Sequence, residues 1–289
     1  MRRGTCAMSP WEGDVHSDEG RTRRSRDRAA QAYAFLLDAA GDHWRDMVLI
    51  GGLVPDTLVD TEEPHQGTLD VDVLLPLALQ YDRDDEDFAW LESALVDAGF
   101  VRTHENTGWR WVNDVDGFPV IVEFLVDVPD AQGQEIPLPG ADRLGAMNVA
   151  GPGPALHDAR VVQFAGREAK VAGIGGYLAA KAAAIVGRGR GKELYDFAYV
   201  LVNSGRTVRE LAEAVAAATE PSPLWSRDPR HDVRAALRAC SGADSVGART
   251  YAAEAVSAGS EESFHDLASD AAAAAASFSA ALEARFPPA

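Results

Sequence analysis

Residues 68–75, Thr-Leu-Asp-Val-Asp-Val-Leu-Leu, carry two aspartates two positions apart inside a hydrophobic run. Side chains alternate faces along a strand, so a strand here turns Asp70 and Asp72 to one side and Leu69, Val71, Val73 and Leu75 to the other. The apolar side has to be buried, which leaves two like charges held next to each other on the opposite face. Water or a cation must offset that repulsion, and two carboxylates on a rigid strand are a good ligand set for Mg²⁺ or Mn²⁺. The pattern points to metal-dependent phosphoryl or nucleotidyl transfer; the alternative is a solvated polar face on an edge strand.

Two neighbouring signals bear on that choice. The run Val48-Leu49-Ile50 ends in the glycine pair Gly51-Gly52. Farther along, Glu123 is the single carboxylate in the apolar run 120–126, on the face it shares with Ile121 and Leu125. An unpaired charge there would be costly to bury. A metal shared with Asp70 and Asp72 would supply the partner, and an arginine would serve equally well.

The order of elements gives the fold class. Residues 1–28 are polar and charged without apolar periodicity, so a disordered tail is expected. A helix is expected over 29–44, a strand over 46–50, and a helix over 53–59 with Pro55 in its first turn. After the aspartate strand come a helix over 84–98 stopped by Gly99, a hairpin from 100–103 and 109–112, and a strand over 120–126. Residues 129–154, rich in Gly and Pro, read as an irregular connection, and strands follow at 160–164 and 168–172. From 174 onward the periodicity is helical: 175–188, a helix with Leu194, Phe197, Ala198 and Leu201 on one face, then 208–218, 232–239 and two alanine-rich helices within 243–285. The expected fold is α+β, a mixed-sheet core over 29–173 followed by a helical domain over 174–289.

The second helix-rich constellation is cationic. Lys181 and Arg188 stand seven residues apart on one helical face, and Lys192 with Asp196 opens the next helix. A solvated stripe plus an i,i+4 pair is the plain alternative. The chain carries 27 basic against 45 acidic residues, a formal charge of −18, which argues against a general nucleic-acid binder. Between Arg160 and Glu210, however, nine basic residues face four acidic ones, a local excess that suits a polyphosphate site. The run 187–192 imitates a P-loop, but its glycine spacing is one short, Glu193 replaces Ser/Thr, and it follows a helix rather than a strand. Trp109 and Trp111 read as a packing face rather than a base-stacking platform, and His65, just before the aspartate strand, as a solvated loop histidine, with a substrate contact as the alternative. Two cysteines, Cys6 and Cys240, make no disulfide framework or zinc site. No stretch approaches the roughly 20 apolar residues of a membrane span, so a cytoplasmic protein with no membrane partner is expected.

Taken together, Leu49-Ile50-Gly51-Gly52, Gly67-Thr68-Leu69-Asp70-Val71-Asp72-Val73, Val122-Glu123-Phe124 and the stretch from Leu178 through Lys181 and Arg188 to Lys192-Glu193-Leu194-Tyr195-Asp196 resemble the nucleotidyltransferases of the DNA polymerase β-like superfamily. The likeness is closest to the AbiEii type of abortive-infection and type IV toxin–antitoxin systems, and it spans about residues 30–205. The resemblance implies a polymerase β-like core and an enzyme that moves a nucleoside monophosphate from an NTP to an acceptor hydroxyl, on a tRNA end or a protein. It also implies a phage-defence toxin role with a cognate antitoxin. Asp70, Asp72 and Glu123 would hold Mg²⁺, and Gly51, Gly52 and Thr68 would let backbone groups approach the phosphates at a helix start. Lys181, Arg188 and Lys192 would neutralise the triphosphate, and Asp196 would orient a cation or assist the acceptor. One departure stands out: the small hydroxyl residue that commonly follows the glycine pair is here Leu53. A small-molecule transferase of the aminoglycoside-modifying kind and a catalytically silent nucleotide-binding regulator are the competing readings.

Overall fold

The first helix begins earlier than apolar periodicity alone indicates. In a computed structural model, which describes residues 22–59, 61, 65–77, 83–189, 191–223 and 225–286, helix α1 runs Arg23–Ala40. Thr22 caps it by accepting from the Ser25 backbone N–H, while the Ser25 hydroxyl oxygen accepts from the Thr22 N–H. This reciprocal cap satisfies two of the donors left free at a helix start. Residues 23–28, expected in a disordered tail, are therefore helical, and residues 1–21 lie outside the described set.

The strands are β1 (Val48–Ile50), β2 (Asp70–Leu74), β3 (Val101–Arg102), β4 (Arg110–Val115), β5 (Phe118–Val126), β6 (Glu135–Pro137), β7 (Gly145–Asn148), β8 (Arg160–Phe164) and β9 (Arg167–Val171). They form one mixed sheet in the order β3-β4-β5-β2-β1-β9-β8, with β7 pairing β5 and β6 beside it. The pairs β2–β5 and β1–β9 are parallel, and β1–β2, β4–β5 and β8–β9 antiparallel. Strands β6 and β7 occupy the segment expected to be irregular; at three and four residues they are too short to display alternation. The fold class is α+β, as expected.

One face of the sheet is apolar. Val71 and Val73 of β2 are fully buried with Val122 and Phe124 of β5, and α1 packs against β2, β4, β5 and β9 and against α3 (Ala89–Asp97). Each such side chain contributes about 1.5–3 kcal/mol on leaving water, so this face sets the strand register and turns the aspartates the other way. The remaining helices are α2 (Pro55–Leu58), α4 (Pro154–His157), α5 (Ile174–Arg188), α6 (Gly191–Asn203), α7 (Val208–Ala218), α8 (Pro229–Cys240), α9 (Val246–Ser257) and α10 (Phe264–Arg285). Helix α5 packs on α4, α6, α7 and α8, and α10 on α7, α8 and α9. Buried residues of the sheet and the helical half join in one hydrophobic core. Among the described residues, no helix is long and apolar enough to cross a membrane.

Candidate active site

Parallel pairing of β2 with β5 aligns Asp70 with Ile121 and Asp72 with Glu123. Residues paired across neighbouring strands present their side chains on the same face. The three candidate carboxylates thus share one face. On the other flank β1 aligns Ile50 with Asp72, so the chain turns at Gly51 directly beside that carboxylate. Gly51 has φ +75°, and a Cβ there would overlap the Asp72 carboxylate. A Cβ on Gly52 would lie 2.7 Å from the Thr68 Cβ. Only glycines let the backbone come this close. The helix expected over 53–59 is reduced to the single turn of α2, with a 3₁₀ turn over Gly51–Leu53 before it, and Leu53 is buried in the core. One turn aligns too few peptide units to serve as a dipole.

The partners of each carboxylate differ. Asp70 accepts from the Thr68 hydroxyl, and Lys192 Nζ at the start of α6 lies 3.4 Å from its Oδ1. Burial works against ionisation of Asp70, but Lys192 and Thr68 outweigh it and hold the carboxyl below the usual range. Asp72 is pushed the other way, first by burial and then by the charges of Asp70 and Glu123. Glu123 meets an arginine: Arg110, its antiparallel partner on β4, donates from Nε at 2.8 Å and from Nη2 at 2.5 Å, both to Glu123 Oε1. The guanidinium lies 4.7 Å from the centre of the Trp109 ring. Trp111 is buried as the packing face expected, its indole N–H donating to the Gly108 carbonyl.

Lys181 and Asp196 belong to a second, closed cluster. Lys181 Nζ donates to Glu193 Oε2 at 2.9 Å and to Asp196 Oδ2 at 2.6 Å. Asp196 Oδ1 bonds His65 Nε2 at 3.0 Å, and both side chains are fully buried. Arg188, largely exposed, reaches Glu193 Oε1 at 3.1 Å. Burial disfavours the Lys181 ammonium, yet Asp196 and Glu193 more than compensate and hold its pKa well above the ordinary value. The three expected cations therefore divide: Lys192 touches the aspartate pair, whereas Lys181 and Arg188 are matched within the cluster. Lys192 pairs with Asp70 rather than with Asp196 one turn along.

His65 corrects an expectation. It is buried, not solvated, and packs against the Tyr195 and Tyr199 rings. The backbone N–H of the next residue, Gln66, donates to the Tyr195 hydroxyl, so the loop leading into β2 is tied to α6. Arg110 does not stand out in the sequence as a site residue. Arg110 could have been found by folding the 100–126 region into a hairpin and reading off the partner of Glu123.

Among the described residues, no three His, Cys, Asp or Glu side chains are gathered closely enough to hold an ion by themselves. Mg²⁺ is bound through one or two carboxylates plus substrate phosphates rather than by an all-protein cage, so the Asp70/Asp72 pair fits its chemistry. The arrangement combines paired carboxylates, closely approaching backbone and one lysine, a donor set suited to a metal–polyphosphate complex. No protein-family model and no curated protein matches the chain. Among solved structures, it matches the crystal structure of an antigenic nucleotidyltransferase-like protein from Paracoccidioides brasiliensis, with 14% identity over 74% of this chain and 91% of that chain, at a TM-score of 0.32.

Proposed function

We propose that the chain is a divalent-metal-dependent nucleotidyltransferase that transfers NMP from an NTP to an acceptor hydroxyl. The observation that carries this reading is the register that sets Asp70, Asp72 and Glu123 on one face beside the Gly51–Gly52 turn. Asp70 and Asp72 would hold Mg²⁺ or Mn²⁺ against the nucleotide phosphates. The bound ion supplies Lewis-acid stabilisation of the charge that builds on the phosphoryl oxygens. Lys192, half-buried at 3.4 Å from Asp70, neutralises phosphate oxygens at the same edge. Glu123 accepts the proton of the acceptor hydroxyl as its oxygen bonds the α-phosphorus; the bond to the bridging oxygen breaks, and pyrophosphate leaves with the electron pair. The Lys181–Asp196 cluster, with Arg188 at its rim, holds α5 and α6 so that Lys192 faces the aspartates.

The parallel β2–β5 pair bearing these carboxylates supports a polymerase β-like core. The AbiEii resemblance supports a tRNA end or a protein as acceptor, and a cytoplasmic toxin with a cognate antitoxin. The charge of −18 favours a second reading, a cationic small-molecule acceptor of the aminoglycoside type. Burial of Leu53 favours a third, a silent NTP-binding regulator, since that position offers the phosphates no hydroxyl.

The test is pyrophosphate release from each of the four NTPs with Mg²⁺, using bulk tRNA, cell protein or aminoglycosides as acceptor. Wild type is expected to need an acceptor, and Asp70→Ala to lose about 10²–10³-fold in rate, the scale of removing one transition-state contact. An undiminished rate in Asp70→Ala sinks the assignment; NTP binding without release favours the regulator.

A further inference from the structure

The sheet face carries a row of four side chains in register, Arg110 on β4, Glu123 on β5, Asp72 on β2 and Ile50 on β1. The charges in this row are not equivalent. Lys192 sits 3.4 Å from Asp70 at the end of a flexible stem, a contact that an incoming ion displaces at little cost. Arg110 grips Glu123 with two N–H groups on one oxygen, is fixed opposite it by the strand pairing, and has the Trp109 ring beside its guanidinium. Charge-assisted bonds from a planar fork are stronger and better ordered than a lysine contact. A divalent ion ligated by Glu123 would sit against this fixed cation at Oε1 and within a few ångströms of it at the neighbouring Oε2, and like charges at such range repel strongly in a half-buried site.

We infer that Arg110 is a positioning residue that keeps Glu123 out of the metal shell, so that the site takes a single divalent ion through Asp70 and Asp72, with the guanidinium standing where a second ion would otherwise neutralise Glu123. This inference rests on the transferase reading and narrows it: Glu123 is a hydroxyl-facing carboxylate and not a metal ligand. Arg110 acts through Glu123 and is assigned no contact with the reacting atoms.

The experiment counts Mn²⁺ bound per chain by electron paramagnetic resonance, on the full chain with equimolar α,β-methylene-ATP. The expected count is one for wild type, one for Arg110→Lys, which keeps the charge, and two for Arg110→Gln, which frees Glu123. Should Arg110→Gln fail to fold, as judged by circular dichroism, Glu123→Gln decides: it should leave the count at one and the Mn²⁺ affinity unchanged, whereas Asp72→Asn should weaken it. Two ions in wild type, one ion in a folded Arg110→Gln, or weakened Mn²⁺ binding in Glu123→Gln overturns the inference while the transferase reading stands. A wild-type chain that binds no Mn²⁺ with the nucleotide overturns both.

Discussion

The two carboxylate clusters of this molecule meet burial in opposite ways. Around Lys181, two buried carboxylates share one buried ammonium, Arg188 adds a second cation at the rim, and His65 closes the remaining Asp196 oxygen. On the sheet face, three carboxylates have two contacting cations, Lys192 at Asp70 and Arg110 at Glu123, and at Asp72 burial and the repulsion of its neighbours outweigh the more distant pull of Lys192 and Lys181. The first arrangement is matched in charge within the protein, although the buried His65 Nδ1 has no hydrogen-bond partner among the described residues. The second is short of positive charge, and the shortage is what a metal–nucleotide complex would supply. On the proposed transferase reading, electrostatic completeness separates a group that holds the fold from one that a metal–nucleotide complex would complete.

The largest effect should come from breaking the closed cluster. Lys181→Met keeps most of the side-chain volume but strands two buried carboxylates without their shared cation. Removing one partner of a buried ion pair costs about 3–5 kcal/mol. Urea denaturation should register that loss; a variant as stable as wild type would mean that water or a rearranged Arg188 already supports Glu193 and Asp196.

A smaller loss is expected where the sheet face meets the glycine turn. Gly51→Ala adds a methyl group that overlaps the Asp72 carboxylate at a residue with φ +75°. The left-handed backbone alone costs about 1–2 kcal/mol for a residue with a Cβ, and the displaced Asp72 should weaken Mn²⁺ binding more than it lowers the unfolding midpoint. Gly41→Ala is the control for backbone strain: it also has positive φ, but open space at its Cβ. Equal loss of Mn²⁺ affinity in both variants would refute a specific role for the Gly51 contact.

What was legible in the sequence follows the range of the interaction that decides it. Alternation over 68–75 is local, and it correctly turned Asp70 and Asp72 away from the core. The start of α1 is also local, but it is written in the Thr22–Ser25 cap rather than in apolar spacing, and an arginine-rich stretch hides it. The alignment of Asp72 with Glu123 joins residues far apart in the chain; the sequence supplies both runs but not their register. Arg110 was named only as a type of partner, an arginine for Glu123, because the β4–β5 pairing that selects it is tertiary. The burial of His65 is hidden for the same reason: its loop is polar, and the Tyr195 and Tyr199 rings of α6 make its environment a core.

The smallest expected effects make the sharpest comparison, because one chemical change should act with opposite signs in the two clusters. Glu193→Gln removes a carboxylate whose pKa, despite burial, is held low by Lys181 and Arg188. A depressed folded pKa contributes stability that is present above the unfolded value, about 4.3, and is lost as pH falls through the folded one. Glu193→Gln should therefore be less stable than wild type at neutral pH, with the difference shrinking under acid. Asp72→Asn removes a carboxylate whose pKa is raised by burial and by Asp70 and Glu123. Here the contribution is full below the unfolded value, about 3.9, and is lost as pH rises through the raised folded value, so the ionised group opposes folding. The metal-free Asp72→Asn chain should melt higher than wild type at mildly alkaline pH, by about 2–4 °C for each kcal/mol relieved, and the gap should close in acid. Mn²⁺ with nucleotide should reverse the order by stabilising wild type more than the variant. If both amides shift the melting temperature in the same direction without metal, the contrast between a completed cluster and a charge-deficient one fails.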